Sequence, residues 1–333
     1  MNIANEIMSR DVAGDGPVPV AGPPAAPPVI LYGALRSGAT MLRLILDMHP
    51  QLSCPIEADF LFDHLRPSGG GWILDRNRLL GDRIFMQSSI APPRSHHGQP
   101  AVAEMIAALK AHKPQARLVL SLHRGLDAAL ALLPDARVIH LVRDPRDVAI
   151  SSVRMGWAGD VYHAAQHWVA TEADWDRAAS QLATRPIKTV HFESLVDQPR
   201  EQIERLCRFL GVDFDPVMLR FHETSSYRPV DASSSFRWQR SAKMSDIALI
   251  DSAVGPLIAA RGYSVSDVAP VRLTRLRLLR VKLRGKLKRM GFRINRYGLR
   301  DTMLDLASNR LGLAWLGHKA RQRIMQQDLR HLE

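Results

Sequence analysis

Residues 29–50 have the sequence VILYGALRSGATMLRLILDMHP, which predicts a strand, a tight loop and a helix in succession. Val29 to Tyr32 form a short apolar run that is typical of a buried parallel strand. Gly33 to Thr40 then form a loop of mostly small residues. Apolar residues recur at helical spacing from Met41 to Met48, and the His49-Pro50 pair ends the helix.

A loop between a strand and a helix can bind a phosphate group, because backbone N–H groups and the helix dipole point at the anion. Gly33 and Gly38 have the spacing of the triphosphate-binding motif G-x-x-x-x-G-K-[ST], but Ala39 stands where that motif has its lysine. We therefore do not expect a triphosphate. Arg36 supplies a cation instead, and its guanidinium can bind two oxygens of a phosphate-like group. The alternative is an ordinary strand-to-helix turn.

A second phosphate-binding segment is predicted further along the chain. The apolar run from Arg137 to Val142 predicts a strand, and the sequence RDPRD from Arg143 to Asp147 follows it. Ser151 lies eight residues after Arg143, in the helix expected next. The alternative is a loop in which these charges satisfy one another.

Strands and helices alternate through the middle of the chain, with further candidate strands at 118–122 and 187–192. This alternation predicts an α/β fold, a P-loop-like doubly wound parallel sheet flanked by helices, over residues 29–265. Ligands bind at the carboxyl edge of such sheets. Residues 67–99 are predicted to be irregular, as a lid, an acceptor-binding insertion or a plain surface loop.

The composition limits the class of protein. A chain of 333 residues that is 46% hydrophobic can form one large domain with appendages. Its two cysteines, Cys54 and Cys207, do not suggest a disulfide scaffold, and we expect a cytoplasmic protein. No apolar run approaches the length of a membrane span. Residues 1–28 are rich in Gly, Pro and Ala and are predicted to be a disordered lead.

The net charge of +12 belongs to one segment. Residues 271–300 contain twelve Lys and Arg and no acid, which leaves 33 basic and 33 acidic residues in the rest of the chain. Within residues 266–333 we predict a basic amphipathic helical tail, because leucines from Leu276 to Leu287 step by three and four. It either binds an anionic membrane surface on the cytoplasmic face or packs on the domain with a solvated basic face. Nucleic-acid binding is not favoured, because the body is neutral.

One possible metal pair occurs at His163 and His167, which are four residues apart on a predicted helix, with Glu172 as the nearest third ligand. Ordinary helix packing is the alternative, and we predict no metal site.

Several stretches together resemble one family. YGALRSGATMLRLILDMHP (32–50) is similar to the 5′-phosphosulfate loop of sulfotransferases that use 3′-phosphoadenosine 5′-phosphosulfate (PAPS). LVRDPRDVAISS (141–152) resembles their 3′-phosphate segment, and HFESLVDQPREQIERLCRFLGV (191–212) resembles the strand and helix that follow. The resemblance covers about residues 28–263. The motif H-P-x-x-x-C-x-x-E, from His49 to Glu57, looks most like the tyrosylprotein sulfotransferase branch and its bacterial relatives.

The resemblance implies a transfer of the sulfuryl group from PAPS to an acceptor hydroxyl on a carbohydrate, lipid or peptide. It makes Glu57 the general base and Arg36 the group that stabilises the departing phosphosulfate oxygen. The residues that the resemblance implies for nucleotide binding are Arg36, Ser37, Gly38, Ala39, Thr40, Met41, Arg143, Ser151 and Arg237.

Three positions depart from the family pattern. Ala39 replaces a threonine of the loop, and Phe192 replaces a tyrosine that bonds to the nucleotide in many members. A second active-site lysine has no clear match, and His123 or Arg124 is expected to replace it. The competing hypotheses are a P-loop kinase or NTPase and a non-catalytic, membrane-recruited binding protein on the same fold.

Overall fold

The structure is a computed structural model that describes residues 26–269, 271–311, 320, 323–324 and 327. Most of the predicted disordered lead at 1–28 therefore lies outside the described residues. The division of the chain into 1–28, 29–265 and 266–333 stays a prediction. Within the described part of the chain, no helix combines the length and the apolar character needed to cross a bilayer.

The secondary structure alternates between strands and helices from residue 29 to residue 210. The strands are β1 (Val29–Gly33), β2 (Leu52–Ser53), β3 (Leu65–Ser68), β4 (Gly71–Leu74), β5 (Arg117–Leu122), β6 (Arg137–Val142) and β7 (Ile187–His191). The α-helices of the first half are α1 (Ala39–Asp47), α2 (Arg76–Leu80), α3 (Arg83–Gln87), α4 (Gly98–Lys110), α5 (Leu126–Leu132) and α6 (Pro145–Arg154). Those that follow are α7 (Val161–Arg177), α8 (Ala179–Leu182), α9 (Phe192–Asp197), α10 (Pro199–Leu210), α11 (Trp238–Ser241), α12 (Met244–Val254), α13 (Leu257–Ala260), α14 (Arg275–Tyr297) and α15 (Leu299–Leu311).

Five of the strands form one parallel sheet in the order β2-β5-β1-β6-β7. This order confirms the predicted α/β fold with a parallel sheet flanked by helices. The first strand, β1, lies in the centre between β5 and β6. The chain therefore winds outward in both directions from β1, and the carboxyl end of β1 marks the switch point where ligands bind in open α/β sheets.

The core lies on both faces of this sheet. Alternate residues of β1 belong to different apolar clusters, Ile30 and Tyr32 to one and Val29 and Leu31 to the other. All four side chains are fully buried. Burial on both faces explains why β1 is a continuous apolar run rather than an alternating one.

The prediction of an irregular segment at 67–99 was wrong. Strands β3 and β4 form an antiparallel hairpin, with Gly69 and Gly70 at its turn in the left-handed region of φ. Helices α2 and α3 follow, and the carboxylates of Asp75 and Asp82 cap their first backbone N–H groups. These elements are only four or five residues long, so they leave little periodic signal in the sequence.

The RDPRD segment is organised by a buried ion pair. Arg146 donates to Asp144 from Nε at 2.9 Å and from Nη2 at 2.7 Å, and both side chains are at most 2% exposed. The indole Nε1 of Trp238 also donates to Asp144, and the guanidinium of Arg146 lies over the Trp238 ring. The pair therefore joins the end of β6 to the start of α11.

We expect that replacing Arg146 by Met lowers the free energy of unfolding by about 3–5 kcal/mol, because it leaves the Asp144 carboxylate buried without its counter-ion. The matched control is Arg177→Met, because Arg177 pairs with Asp174 at the surface, where such pairs contribute about 0–1 kcal/mol. Urea denaturation of the two variants measures the difference. Equal losses would show that the buried pair does not hold this segment.

Candidate active site

Two adjoining cavities open at the carboxyl edge of the sheet. The first has a volume of about 570 Å³ and is lined by the loop after β1, by Arg143 at the end of β6, and by residues 227–241. The second has a volume of about 940 Å³ and extends from the same loop to the inner face of α14. The residues common to both are Leu35, Arg36, Thr40, Glu57, Trp157 and Tyr227.

The loop from Gly33 to Ala39 has the shape of an anion cradle. Gly38 precedes α1 with a φ of 94°, and a Cβ atom there would lie 2.4 Å from the ring of Phe192. Arg36 also has a left-handed φ, 72°, which costs a non-glycine residue about 1–2 kcal/mol. Tight contacts therefore hold this loop, and the side chain of Arg36 is turned into both cavities.

Two side chains fix the guanidinium of Arg36. Its Nε donates to the hydroxyl of Ser151 at 3.0 Å, and its Cζ lies 5.3 Å from the ring centroid of Trp157. Ser151 does not itself line the first cavity. The structure thus brings Ser151 to Arg36, and its predicted contact with a 3′-phosphate stays a prediction.

Arg143 lines the first cavity on the side opposite α1. One of its Nη atoms donates to the backbone carbonyl of Arg36 at 3.2 Å and the other to that of Ser234 at 3.1 Å. Its Cζ stacks 3.9 Å from the centroid of the Phe192 ring, and burial lowers the pKa of its guanidinium. Arg36 and Arg143 therefore face one cavity, as the two predicted phosphate motifs require.

The remaining predicted nucleotide residues divide into two groups. Arg237 lines the first cavity, and its backbone N–H donates to Asp147 at 3.1 Å. The cavity is also lined by the predicted residues Gly38, Ala39, Thr40 and Met41. Ser37 is fully buried, its hydroxyl has no hydrogen-bond partner among the described residues, and its backbone N–H donates to the carbonyl of Ala34. The structure therefore places Ser37 behind the loop rather than in the cavity.

Glu57 lies at the junction of the two cavities. An isolated bridge to Ser121 places it beside β5, and Arg43 holds the preceding segment by donating to the carbonyls of Cys54 and Pro55 at 2.9 Å. The hydroxyl of Thr40 donates to its Oε1 at 3.4 Å. The carboxylate is thus fixed a few ångströms from the cradle.

His123 is the second titratable group at this junction. Its Nδ1 donates to the carbonyl of Gly33 at 2.7 Å, and its Nε2 lies 3.8 Å from Oε1 of Glu57. The ring is 3% exposed, and Nε2 has no hydrogen-bond partner in the described chain. Arg124, the other candidate for the missing lysine, pairs with Asp63 instead. Of the two candidates, only His123 reaches the first cavity.

Glu57 and His123 shift each other's pKa toward the charged forms. Burial acts to raise the pKa of Glu57, but the nearby ring of His123, the charge of Arg43 and the Thr40 hydroxyl outweigh it and lower the pKa. Burial acts to lower the pKa of His123, but Glu57 and Asp59 outweigh it and raise the pKa. The two groups therefore stabilise each other's charged forms.

The structure disagrees with the metal alternative at His163 and His167. Glu172 pairs with His140 at 3.1 Å and also with Arg261, and His163 bonds to Asp160. Among the described residues, one group could approach a single ion, namely Glu57, Asp59 and His123, with ligand atoms within 4.8 Å of one another. Asp59 already accepts the backbone N–H groups of His123 and Arg124.

The sequence analysis did not identify the residues that hold the site residues in place. Arg43, Asp59 and Trp157 hold the segments that carry Glu57, His123 and Arg36. Arg43 lies in the stretch 32–50 but had no predicted role, and Asp59 and Trp157 belong to no recognisable motif. The only signal was the proximity of Asp59 to Glu57 in the sequence.

Comparison with known proteins identifies the family. The sulfotransferase family model matches residues 27–216, which is more than half of the chain. The chain belongs to the sulfotransferase family. This sulfotransferase is 27% identical over 206 residues to a candidate protein-tyrosine sulfotransferase of Caenorhabditis briggsae, with 59% of this chain and 69% of that protein covered. It is 26% identical over 312 residues to the nodulation protein NoeE of Sinorhizobium fredii, covering 78% and 69% of the two chains.

Solved structures agree on the fold of this sulfotransferase. The sulfotransferase domain of the Synechococcus PCC 7002 olefin synthase superposes with a TM-score of 0.51 and 24% identity, covering 69% of this chain and 96% of that one. The sulfotransferase domain of the curacin biosynthetic pathway gives a TM-score of 0.53 and 19% identity, covering 72% and 99%. At these identities the likeness supports the fold alone.

We expect His123→Asn to raise the pKa of Glu57, because asparagine can keep the bond to Gly33 but removes the positive charge. The folded-state pKa of Glu57 is lowered, so its contribution to stability is present above its unfolded pKa and is lost as the pH falls through its folded pKa. In the variant this contribution should be smaller, and its loss should be complete at a higher pH. Carboxyl carbon NMR measures the titration of Glu57 directly, and an unchanged midpoint would contradict the coupling.

Proposed function

We propose that this sulfotransferase transfers the sulfuryl group from PAPS to an acceptor hydroxyl, with the nucleotide in the first cavity and the acceptor in the second. The observation that carries the proposal is the junction of the two cavities. Both Arg36 and Glu57 line both cavities, so a donor and an acceptor can meet between a cation and a carboxylate.

The first cavity suits a nucleotide with two phosphate groups. Arg36 and the cradle at the N-terminus of α1 suit a 5′-phosphosulfate, and Arg143 suits a second phosphate on the ribose. Ala39 makes no side-chain contact of the kind that lysine makes with a γ-phosphate. This favours PAPS over the competing kinase or NTPase hypothesis.

The chemistry follows from the two charged groups. The acceptor oxygen attacks sulfur while the bond from sulfur to the bridging oxygen breaks, and Glu57 takes the acceptor proton. The products are a sulfate ester and 3′-phosphoadenosine 5′-phosphate (PAP). Arg36 stabilises the charge that develops on the bridging oxygen, and the His123 imidazolium supplies the positive charge that the missing lysine would give.

The lining of the second cavity limits the acceptor only broadly. Arg43, Arg83, Arg289 and Arg293 are among its lining residues, together with the aromatic rings of Trp157, Tyr227, Phe292 and Tyr297. A hydroxyl on a carbohydrate, a lipid or a peptide fits such walls. A purely non-catalytic binding role would not explain why Glu57 and Arg36 both lie at the junction of the two cavities.

We expect Glu57→Gln to slow sulfate transfer by about 10²- to 10⁴-fold with little change in PAP affinity, because the amide fills the same space but cannot take the proton. Arg36→Ala should slow transfer by about 10²- to 10³-fold and also weaken PAP binding. The measurement is transfer of labelled sulfate from PAPS to a panel of phenol, sugar and lipid hydroxyls, with calorimetry for PAP. The control is Glu223→Gln, at a carboxylate 53% exposed and outside both cavities. Transfer that survives Glu57→Gln would overturn the assignment of the base.

A second test separates this proposal from the NTPase alternative. Arg143→Gln should weaken PAP binding by about 10- to 100-fold but leave the binding of adenosine 5′-monophosphate, which lacks the 3′-phosphate, nearly unchanged. Arg220→Gln, at a guanidinium 60% exposed, is the control. Equal losses for both nucleotides, or tighter binding of ATP with Mg²⁺ than of PAP, would favour the alternative.

A further inference from the structure

Helix α14 packs against the domain where its backbone at Gly285 passes close to Gly159. A Cβ atom on Gly159 would lie 1.9 Å from the carbonyl oxygen of Gly285, and one on Gly285 would lie 2.1 Å from a carboxylate oxygen of Asp160. About two turns further on, the ring of Phe292 fills the space beside Gly156. The rotation of α14 about its own axis is therefore fixed by these contacts.

This rotation leaves a row of leucines pointing away from the domain. Leu276, Leu279, Leu283 and Leu287 are 58–65% exposed, and their spacing of three and four residues places them on one side of α14. Gly285 is nine residues after Leu276, which is about two and a half turns, so the buried glycine and the leucine row lie on opposite sides. We call this row and its neighbouring cations the outer face of α14.

Cations flank the leucine row along its whole length. The exposed basic residues beside it are Arg275, Arg280, Lys282, Arg284, Lys286 and Lys288. Because the chain outside 271–300 carries equal numbers of acidic and basic residues, the net positive charge of the protein comes from this segment, and these six residues place half of its twelve cations beside the leucines. An apolar row between two rows of cations matches the layering of lipid tails beneath anionic headgroups.

We propose that the outer face of α14 docks on an anionic lipid bilayer, with the leucines in the acyl boundary and the flanking cations at the headgroups. A second copy of the chain fits this face poorly, because it would oppose two segments with twelve cations each. A nucleic acid would leave the leucines without an apolar partner. The side of α14 opposite the leucines lines the second cavity through Arg289, Phe292 and Arg296, so docking holds that cavity close to the lipid surface.

The experiment is sedimentation of the full chain with vesicles of phosphatidylcholine, with and without phosphatidylglycerol. We expect binding to require the anionic lipid and to weaken at high salt. Replacing Leu279, Leu283 and Leu287 together by Ser should weaken binding at least about tenfold. Replacing Arg280, Arg284, Lys286 and Lys288 by Gln should weaken it comparably.

The control replaces Leu80, Met86 and Met244 by Ser, three exposed apolar residues outside α14, and should leave binding unchanged. PAP affinity, measured on every variant, reports on folding and on the proposed function separately from docking. Three outcomes would overturn the proposal: no binding to the anionic vesicles, binding that ignores the leucine substitutions, or a dimer that the leucine substitutions dissociate. The second outcome would indicate a purely electrostatic surface for a polyanion, and the third an interface between copies.

Discussion

The structure of the site depends on how the central strand is held at its carboxyl end. The carbonyl of Gly33 accepts a bond from His123, at the end of β5, and the carbonyl of Arg36 accepts one from Arg143, at the end of β6. Each neighbouring strand is thus followed by one side chain that donates a hydrogen bond to a backbone carbonyl of the loop after β1. Arg143 is a cation, and the pKa of His123 is raised, so the bonds that shape the loop also place positive charge around it. The hydrogen bonds that form when these strands pair are therefore also the ones that shape the cradle.

The RDPRD segment shows how two readings of one sequence can both hold. Asp144 and Arg146 satisfy each other in the core, as the alternative of an internally paired loop predicts. Asp147 receives the backbone N–H groups of Arg237 and Trp238, which brings that distant segment to the first cavity. Arg143 then remains at the cavity wall. The acidic residues position the segment, and Asp147 also lies 3.9 Å from Nη2 of Arg143.

The sequence was most informative where burial on both faces demands continuous apolar runs, so β1, β5, β6 and β7 were predicted almost to the residue. It was least informative where short elements depend on caps, as in the hairpin and helices between residues 65 and 87. The phosphate loop and Glu57 came from motifs. The sequence named His123 only as one of two candidates, and its contact with Gly33 depends on the sheet order, which brings β5 beside β1. No local pattern could reveal that pairing, because it joins residues 90 positions apart.

The crossing of Gly285 and Gly159 changes how the basic tail should be regarded. The backbone of α14 contacts the domain closely, and Phe292 and Tyr297 of this helix line the second cavity. Helix α14 is therefore part of the enzyme domain. A chain shortened before Arg275 would expose that cavity to water along one whole side. The same segment therefore sets the shape of the second cavity, so substitutions in this tail would change the size and lining of that cavity.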